Sequence, residues 1–549
     1  MAITEGYDYP HSGNTSYVVQ YTRGLLGVNI KLDNLLTQIL CGTLGAACVV
    51  VLAARFGQMW NAYMRRITSA HASPRQQRYW ATAESALWAD IKRHLLYAPL
   101  GRKRHNREFK LSEAVNVGTL PSRLHTILLT SYFLSQVAYI TILDYNVNER
   151  AALIAELRGR CGVLAVLNMI PRHGRDNSHG IIATTLAIPD TSCVYETFLH
   201  IHILLVFLAI GGIYMHLSID QLPQLPWLKC IMAFWITERS LRFLRLIYLN
   251  IAHRHGITRV MVEALPGEAS RVTFFLPRNT HIHPGSHVYA YLPRISLWMS
   301  HPFSVAWTEN GKYPRPLASS SRTSPQKLPS FQKHESDIDN ATNYSSKPTN
   351  VTLVMAARTG MTRKLYEKAL ASPDNTFFTT GFIEGPYRSH SSTFFGSYGT
   401  VVLFSGGAGI THHMMQVREL LESADAGTIA TRRIHLIWSV RTTEQLTWVS
   451  GFMDYILQLP KRREMLVTKL FISKPRSHKD IRSPSGTLLM FEGRCRPDVI
   501  IDEAMEKHVG ATAVSVCGPG AFADEVRAAV RKRVGSGPVI DFVEEAFTW

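Results

Sequence analysis

A chain of 549 residues is too long for one hydrophobic core, so two or three separately packed units are expected. The formal charge of +18 would suit a nucleic-acid binder, but the excess gathers in one stretch. There Arg55, Arg65, Arg66, Arg75, Arg78, Lys92, Arg93, Arg102, Lys103, Arg104 and Arg107 meet few acids. A basic stretch between two apolar runs holds a loop on the cytoplasmic face of a bilayer, so the expected partner is lipid and not nucleic acid. The seven cysteines have no regular spacing, which indicates neither a disulfide framework nor a zinc site.

In chain order, residues 1–34 are polar and carry no basic-then-apolar leader pattern, and Asn14 is the best-placed glycosylation sequon. Leu35–Ala54 and Leu124–Asp144 then have the length and composition of membrane spans, with the basic loop between them. Cys161–Ile170 is apolar but too short to cross alone, and Phe198–Leu217 and Leu228–Leu249 are two further candidate spans. His202 and His216 are fourteen positions apart on one of these. In a helix that spacing returns to within about 40° of the same face and separates the two by about 21 Å along the axis. It suits the axial ligands of two stacked haems, each needing a second imidazole from a facing helix. No other run repeats the spacing: His173 and His179 are six apart, and His125 stands alone. Ionisable groups inside a span are costly, so a metal-ligand role for His202 and His216 is the expectation.

From Gly256 the pattern changes to short alternating strands, among them Arg259–Ala264, Arg271–Leu276 and Val288–Leu292, which predict a small antiparallel barrel. His301, Pro302, Phe303 and Ser304 close one edge. An extended, proline-fixed stretch of this kind can present main-chain groups to a flavin ring while Ser304 hydrogen-bonds near its reactive nitrogen. In Arg358-Thr359-Gly360-Met361-Thr362 a strand ends at a helix start, and Gly360, Met361 and Thr362 suit the flavin pyrophosphate. Residues 310–350, rich in Ser, Pro, Asn and Lys, are expected to be a disordered insertion. Gly385-Pro386-Tyr387 follows.

After Tyr398 strands alternate with helices. Thr400–Ser405 leads through Gly406, Gly407, Ala408, Gly409, Ile410 and Thr411 into a helix to Ser423, and glycines there permit close approach of a pyrophosphate to the helix N-terminus. Ile434–Val440 ends at Arg441, which either holds a 2′-phosphate, favouring NADPH, or is a solvated surface arginine. Thr512–Val516 runs into Cys517, Gly518, Pro519 and Gly520, and the chain finishes on Trp549.

Carried in this order, the His-Pro-Phe-Ser, Gly-Pro-Tyr, Gly-Gly-Ala-Gly-Ile-Thr and Cys-Gly-Pro-Gly peptides and the terminal Trp549 make the chain resemble the fungal ferric-chelate reductases. These are flavocytochrome transmembrane metalloreductases related to NADPH oxidases. The resemblance implies a multi-domain fold: an α-helical transmembrane haem-type domain over 35–250, an antiparallel β-barrel FAD domain over 251–390, and an α/β Rossmann-like NADPH domain over 391–549. The last two together would be ferredoxin-NADP reductase-like. It implies that His301–Ser304 bind FAD, that Gly406–Thr411 and Cys517–Pro519 bind NADPH, and that Trp549 shields the flavin. Ser304, Cys517 and Trp549 would stand at the reacting centre, with haem b on His202 and His216. Electrons would pass from NADPH through FAD, and through haem b where it is held, to extracellular Fe(III) or Cu(II) chelates. The nucleotide domains would then be cytosolic and the membrane the plasma membrane. A superoxide-producing oxidase, or a remnant or assembly partner with only diaphorase activity, are the alternatives.

Two departures stand out. Arg172–Ser192 replaces the turn, the helix with the first histidine pair and a further span; a loss of two crossings would preserve the odd parity that a cytosolic flavin domain requires, which the four clear spans alone do not give. Arg388 stands where the resemblance leads one to expect glycine after Gly-Pro-Tyr. Because its nucleotide motifs lie downstream of the gap, the chain from about Ile251 onward is expected to fold and bind FAD by itself.

Overall fold

The computed structural model describes residues 28–101, 103–105, 110–112, 115–116, 120–146, 150–169, 192–219, 221–253, 255–296, 300–310, 348–358, 360–387, 392–477, 481–483 and 485–545. The gap at Arg172–Thr191, most of the 310–350 insertion, Arg388 and the terminal Trp549 lie outside them, as does the side chain of His202. The described chain separates into two compact units, one made of the residues up to Ala54 with Ile127–Arg239, the other of Arg55–Thr126 with Ser240–Trp549.

Long helices make up the first unit. They include Arg150–Leu167, most of Arg123–Thr141 and Ser192–Ile219, the opening turns of Ile30–Ser69, and the first half of Leu225–Asn250. They coincide with the apolar runs. Among the described residues one helix, Ile30–Ser69, is long and apolar enough to cross a membrane, and Leu204–Ile219 is a shorter apolar stretch. Its apolar side chains face outward over successive turns, as at Val49, Val50, Val51 and Leu52, which water alone would not favour. Inside this unit Arg160 is fully buried, its Nε 2.7 Å from Asp33 Oδ1 and its Nη2 3.1 Å from Glu156 Oε1. One guanidinium thus joins three helices, since Nη1 also reaches the Tyr139 carbonyl. Removing one partner of such a buried group would leave a charge uncompensated.

The second unit contains three sheets that matter here. A five-stranded antiparallel sheet runs in the order 376–380, 259–265, 269–275, 349–356, 307–310, and a three-stranded one in the order 382–387, 287–291, 300–304. The antiparallel strands are those the alternation predicts, but they register as two sheets and do not close into one ring. Val260, Val262, Val272, Phe274, Val351 and Leu353 fill the space beneath them, on strands whose buried positions alternate or run continuously.

The third sheet is parallel, with six strands in the order 488–492, 466–472, 433–440, 400–406, 512–517, 540–544. Its central strands are buried along their whole length, as at Thr400–Gly406 and Thr512–Cys517. The order progresses outward in both directions from Thr400–Gly406. The topological switch therefore lies between that strand and Thr512–Cys517, and its crevice opens at their carboxyl ends, Gly406 and Cys517.

The basic loop is part of this unit, which the sequence does not reveal. Ala98 is fully buried, Gln77 is 1% exposed and Lys92 3% exposed. Lys92 Nζ lies 2.6 Å from both Glu84 and Asp541, and Arg65 stands over the Tyr398 ring at 4.0 Å and 3.6 Å from Asp541. Gln77 Nε2 donates to the Ala430 carbonyl, and the Val539 amide donates to the carbonyl of Ala81. The compact unit around the nucleotide sheet thus begins well before Ile251.

Candidate functional site

Two turns meet at the switch point. The Gly406–Gly409 turn follows the central strand and opens the Ile410–Asp425 helix, while Cys517–Pro519 follows the neighbouring strand and opens Gly520–Arg533. Their glycines have different physical reasons. A Cβ on Gly406 would fall 2.6 Å from Pro519 Cδ, on Gly409 2.1 Å from the Cys517 carbonyl oxygen, and on Gly518 2.8 Å from Gly406 Cα. These three let one turn pack on the other. Gly407 instead has a positive φ of 53° and nothing within 4 Å of an added Cβ, so its backbone faces open space. That open, side-chain-free cradle at a helix start fits a dinucleotide pyrophosphate. Trp438 Nε1 donates to the Gly407 carbonyl at 3.0 Å and fixes the turn from the adjoining strand.

Ile410 and Thr411 are buried, Thr411 Oγ1 donating back to the Ala408 carbonyl, so they hold the turn. Cys517 is 4% exposed. Burial, with Glu545 nearby, pushes its thiol pKa far up, which keeps it a neutral thiol rather than a nucleophile. Arg441 is exposed at the carboxyl end of the 433–440 strand, its amide donating to Gln445 Oε1 at 2.7 Å. It stands where open α/β sheets receive ligands.

On the flavin side, His301–Ser304 forms an edge strand of the three-stranded sheet, with His301 opposite Ala290, Phe303 opposite Val288 and Ser304 opposite His287. Being at the edge, it has one side of its backbone unpaired in the sheet, available to a bound ring. His301 is half-buried and burial lowers its pKa, while Ser304 is 7% exposed. At the other edge Gly385-Pro386-Tyr387 breaks the ladder, and Tyr387 stacks on His287 with centroids 5.6 Å apart.

Sequence reasoning missed Glu384 beside it. This buried carboxylate accepts from Arg242 Nε at 2.9 Å and from Tyr291 Oη at 2.7 Å, and also from Tyr387 Oη. Burial would raise its pKa, but the hydrogen bonds from both tyrosines and Arg242 outweigh it and hold the carboxyl below its usual range. Burial and Glu384 push Tyr291 up to about 12. Arg242 comes from the Leu225–Asn250 helix, so this network ties that helix to the flavin sheet. A charged residue within an apolar helix was its only signal.

Gly360 carries a φ of 61°, with nothing within 4 Å of an added Cβ, at the start of the Met361–Leu370 helix. Met361 is 3% exposed and anchors that helix in the core, and Thr362 Oγ1 accepts from the Arg358 amide at 3.1 Å. The open glycine at this helix start fits a phosphate group of FAD.

Positions 202 and 216 both fall on the Ser192–Ile219 helix, and His216 is exposed. The helices Arg123–Thr141, Arg150–Leu167 and Leu225–Asn250 carry one histidine between them, His125, whose Nδ1 lies 2.6 Å from Ser122 Oγ. Among the described residues no three or more His, Cys, Asp or Glu side chains gather as a metal site. The pair at positions 202 and 216 would supply two of the four axial positions of a stacked haem pair.

Residues 254–315 match the FAD-binding domain family and residues 398–531 the ferric reductase NAD binding domain family. The chain is 25% identical over 261 residues to a probable cell surface ferric reductase of Aspergillus oryzae. It is 24% identical over 383 residues to ferric/cupric reductase transmembrane component 2 of Saccharomyces cerevisiae, and 21% over 382 to a probable ferric reductase transmembrane component of Candida albicans. These alignments take in 46%, 65% and 65% of this chain and 30%, 47% and 50% of those proteins, so the chain spans half or less of their length. Among solved structures, a ferredoxin NADP+ reductase from Neisseria gonorrhoeae with bound FAD and NADP is 11% identical, with a TM-score of 0.31 over 53% of this chain and 98% of that one. The second unit of this chain matches the FAD-binding and ferric reductase NAD-binding domain families, and the chain resembles fungal ferric reductases.

Proposed function

We propose that the chain is a membrane-bound, NADPH-dependent flavoprotein reductase acting on ferric or cupric chelates, with its nucleotide domains in the cytosol. The observation that carries this reading is the open Gly407 cradle at the switch point of the parallel sheet, in one unit with the His301–Ser304 edge strand. Bound FAD would supply the conversion of a two-electron hydride donor into single-electron steps. The protein's part is to bind and orient. His301–Ser304 would hold the ring edge, Gly360–Thr362 the flavin phosphate, and Gly406–Thr411 with Cys517–Pro519 the dinucleotide. Positioning two planar rings needs no acid or base, which agrees with a neutral Cys517 thiol.

The apolar helices of the first unit would anchor the chain, and the relatives named transmembrane components support that placing. Membranes from expressing cells should reduce a ferric chelate with NADPH, above membranes from cells with the empty vector. A second reading, diaphorase activity without transmembrane transfer, is favoured by the single histidine pair. It is separated by the reduced spectrum of the full chain. A low-spin bis-histidine signal that disappears in His202→Ala would rule it out, whereas dye reduction without chelate reduction would establish it.

A further inference from the structure

The basic loop reaches the dinucleotide turn itself. Arg104 and His105 pack on the N-terminal end of the Gly520–Arg533 helix, which follows directly from Cys517–Pro519. Asp524, one turn into that helix, accepts from the Arg104 amide at 3.1 Å and from the His105 amide at 2.8 Å, and its Oδ1 lies 3.2 Å from His105 Nδ1. An ionised carboxylate only accepts, so Nδ1 carries the hydrogen. Burial would raise the Asp524 pKa, but the bonds from His105 and the loop amides keep it below its usual value. The other side of the imidazole covers Gly520. A Cβ there would fall 2.4 Å from His105 Cβ, 2.5 Å from Cγ and 2.7 Å from Cδ2.

The same segment grips the last strand. Arg104 Nη1 lies 2.9 Å from Glu544 Oε2, His105 Nε2 lies 3.5 Å from Glu544 Oε1, and Arg527 pairs with Glu544 as well. The next amide, Glu545, donates to the carbonyl of Val516, one residue before Cys517. Both His105 and Glu544 are 7% exposed at the side chain. A loop that sequence places between two apolar helices is thus bolted to the turn and to the strand flanking it.

We propose that His105 is a positioning residue for the dinucleotide-binding turn Cys517–Gly520, its ring setting the distance between the basic loop and Gly520 while Asp524 fixes the ring. The inference rests on the reading of that turn as a nucleotide site. The loop then controls how the turn meets NADPH, and leaves FAD, held by other strands, unaffected.

The test uses the full chain in detergent, with NADPH and a soluble dye as acceptor. His105→Ala should raise the KM for NADPH about tenfold with little change in kcat, the size expected for a displacement well under 1 Å at a binding loop. FAD content and the melting temperature should stay near wild type, and His105→Asn, which restores a donor to Asp524, should recover most of the KM. Gly520→Ala should raise KM on its own, and combining it with His105→Gly should leave KM no higher than the larger of the two single effects, because both changes act through one contact. An unchanged KM in His105→Ala would overturn the proposal. So would a loss of FAD and of thermal stability in step with KM, or additive effects in the double variant, since these mark a merely structural histidine. A wild-type chain that holds FAD and binds no NADP+ would instead overturn the reading of the site.

Discussion

A Cβ placed on Gly409 would lie 2.1 Å from the carbonyl oxygen of Cys517, far inside the 3.0 Å below which real Cβ contacts are essentially never found. The two glycine turns are therefore one packed object, and the glycines within it separate by role. Gly409→Ala must push backbone against backbone, and overpacking of this kind costs about 1–3 kcal/mol or more. Gly407→Ala meets open space and bears only the strain of its positive φ, roughly 1 kcal/mol. Melting curves should show Gly409→Ala clearly destabilised and Gly407→Ala close to wild type. NADP+ titrations should show Gly407→Ala weakened beyond its small stability loss. Equal melting temperatures for the two would contradict the packing assigned to Gly409.

The basic loop leads to a second expectation. Lys92, Glu84 and Asp541 form a buried cluster, and truncating one partner of a buried pair costs about 3–5 kcal/mol. Lys92→Ala should lower the melting temperature of the nucleotide half sharply, and a fragment starting at Ile251 should be poorly soluble unless residues 55–126 are supplied. A stable, FAD-loaded 251–549 fragment with the wild-type melting temperature would show that the loop contributes little.

This dependence also shows where sequence reading reached and where it stopped. The strands at Thr400, Arg433 and Thr512 were legible because buried parallel strands are largely continuous apolar runs, and the first and last of these end in glycine turns. The flavin strands were legible by alternation. The loop was not: Gln77, Lys92 and His105 are polar, lie far away in sequence, and look like solvated or membrane-orienting charge until Asp541 and Asp524 are placed beside them. Glu384 was missed for the same reason, since its partners Arg242 and Tyr291 come from separate elements. The glycine motifs indicated a nucleotide cradle, but only geometry separates Gly407, which faces space, from Gly406 and Gly409, which face another turn.

Buried imidazoles set an acid limit. Burial, and after it Lys469, lowers the pKa of His435 to about 4, burial lowers His412 to about 3, and His413 falls well below the usual value. Each binds a proton more readily unfolded than folded. Its contribution is complete above about pH 6.5 and is lost as pH falls towards the folded value, at up to about 1.4 kcal/mol per pH unit. The melting temperature should drop steadily from pH 7 to pH 5, and His435→Gln should flatten the slope by up to one proton. A slope unchanged by that substitution would mean that His435 does not titrate between the two states.

Arg441 provides the test of cofactor choice. It stands exposed at the carboxyl end of a strand next to the switch, with its amide held by Gln445 and its carbonyl accepting from Lys474 at 2.8 Å. The backbone is thus fixed by partners that do not involve the guanidinium, which is the arrangement needed for a side chain that can leave solvent for a ligand. A charge-assisted bond to a 2′-phosphate is worth about 1.5–3 kcal/mol. Arg441→Ala should therefore raise the KM for NADPH about tenfold or more in dye reduction, with the KM for NADH nearly unchanged. Because the substitution leaves the Gln445 and Lys474 contacts to the main chain in place, melting temperature should hardly move. Equal losses with the two nucleotides would assign Arg441 to the surface and shift the reading of the phosphate to another cation at that edge of the sheet.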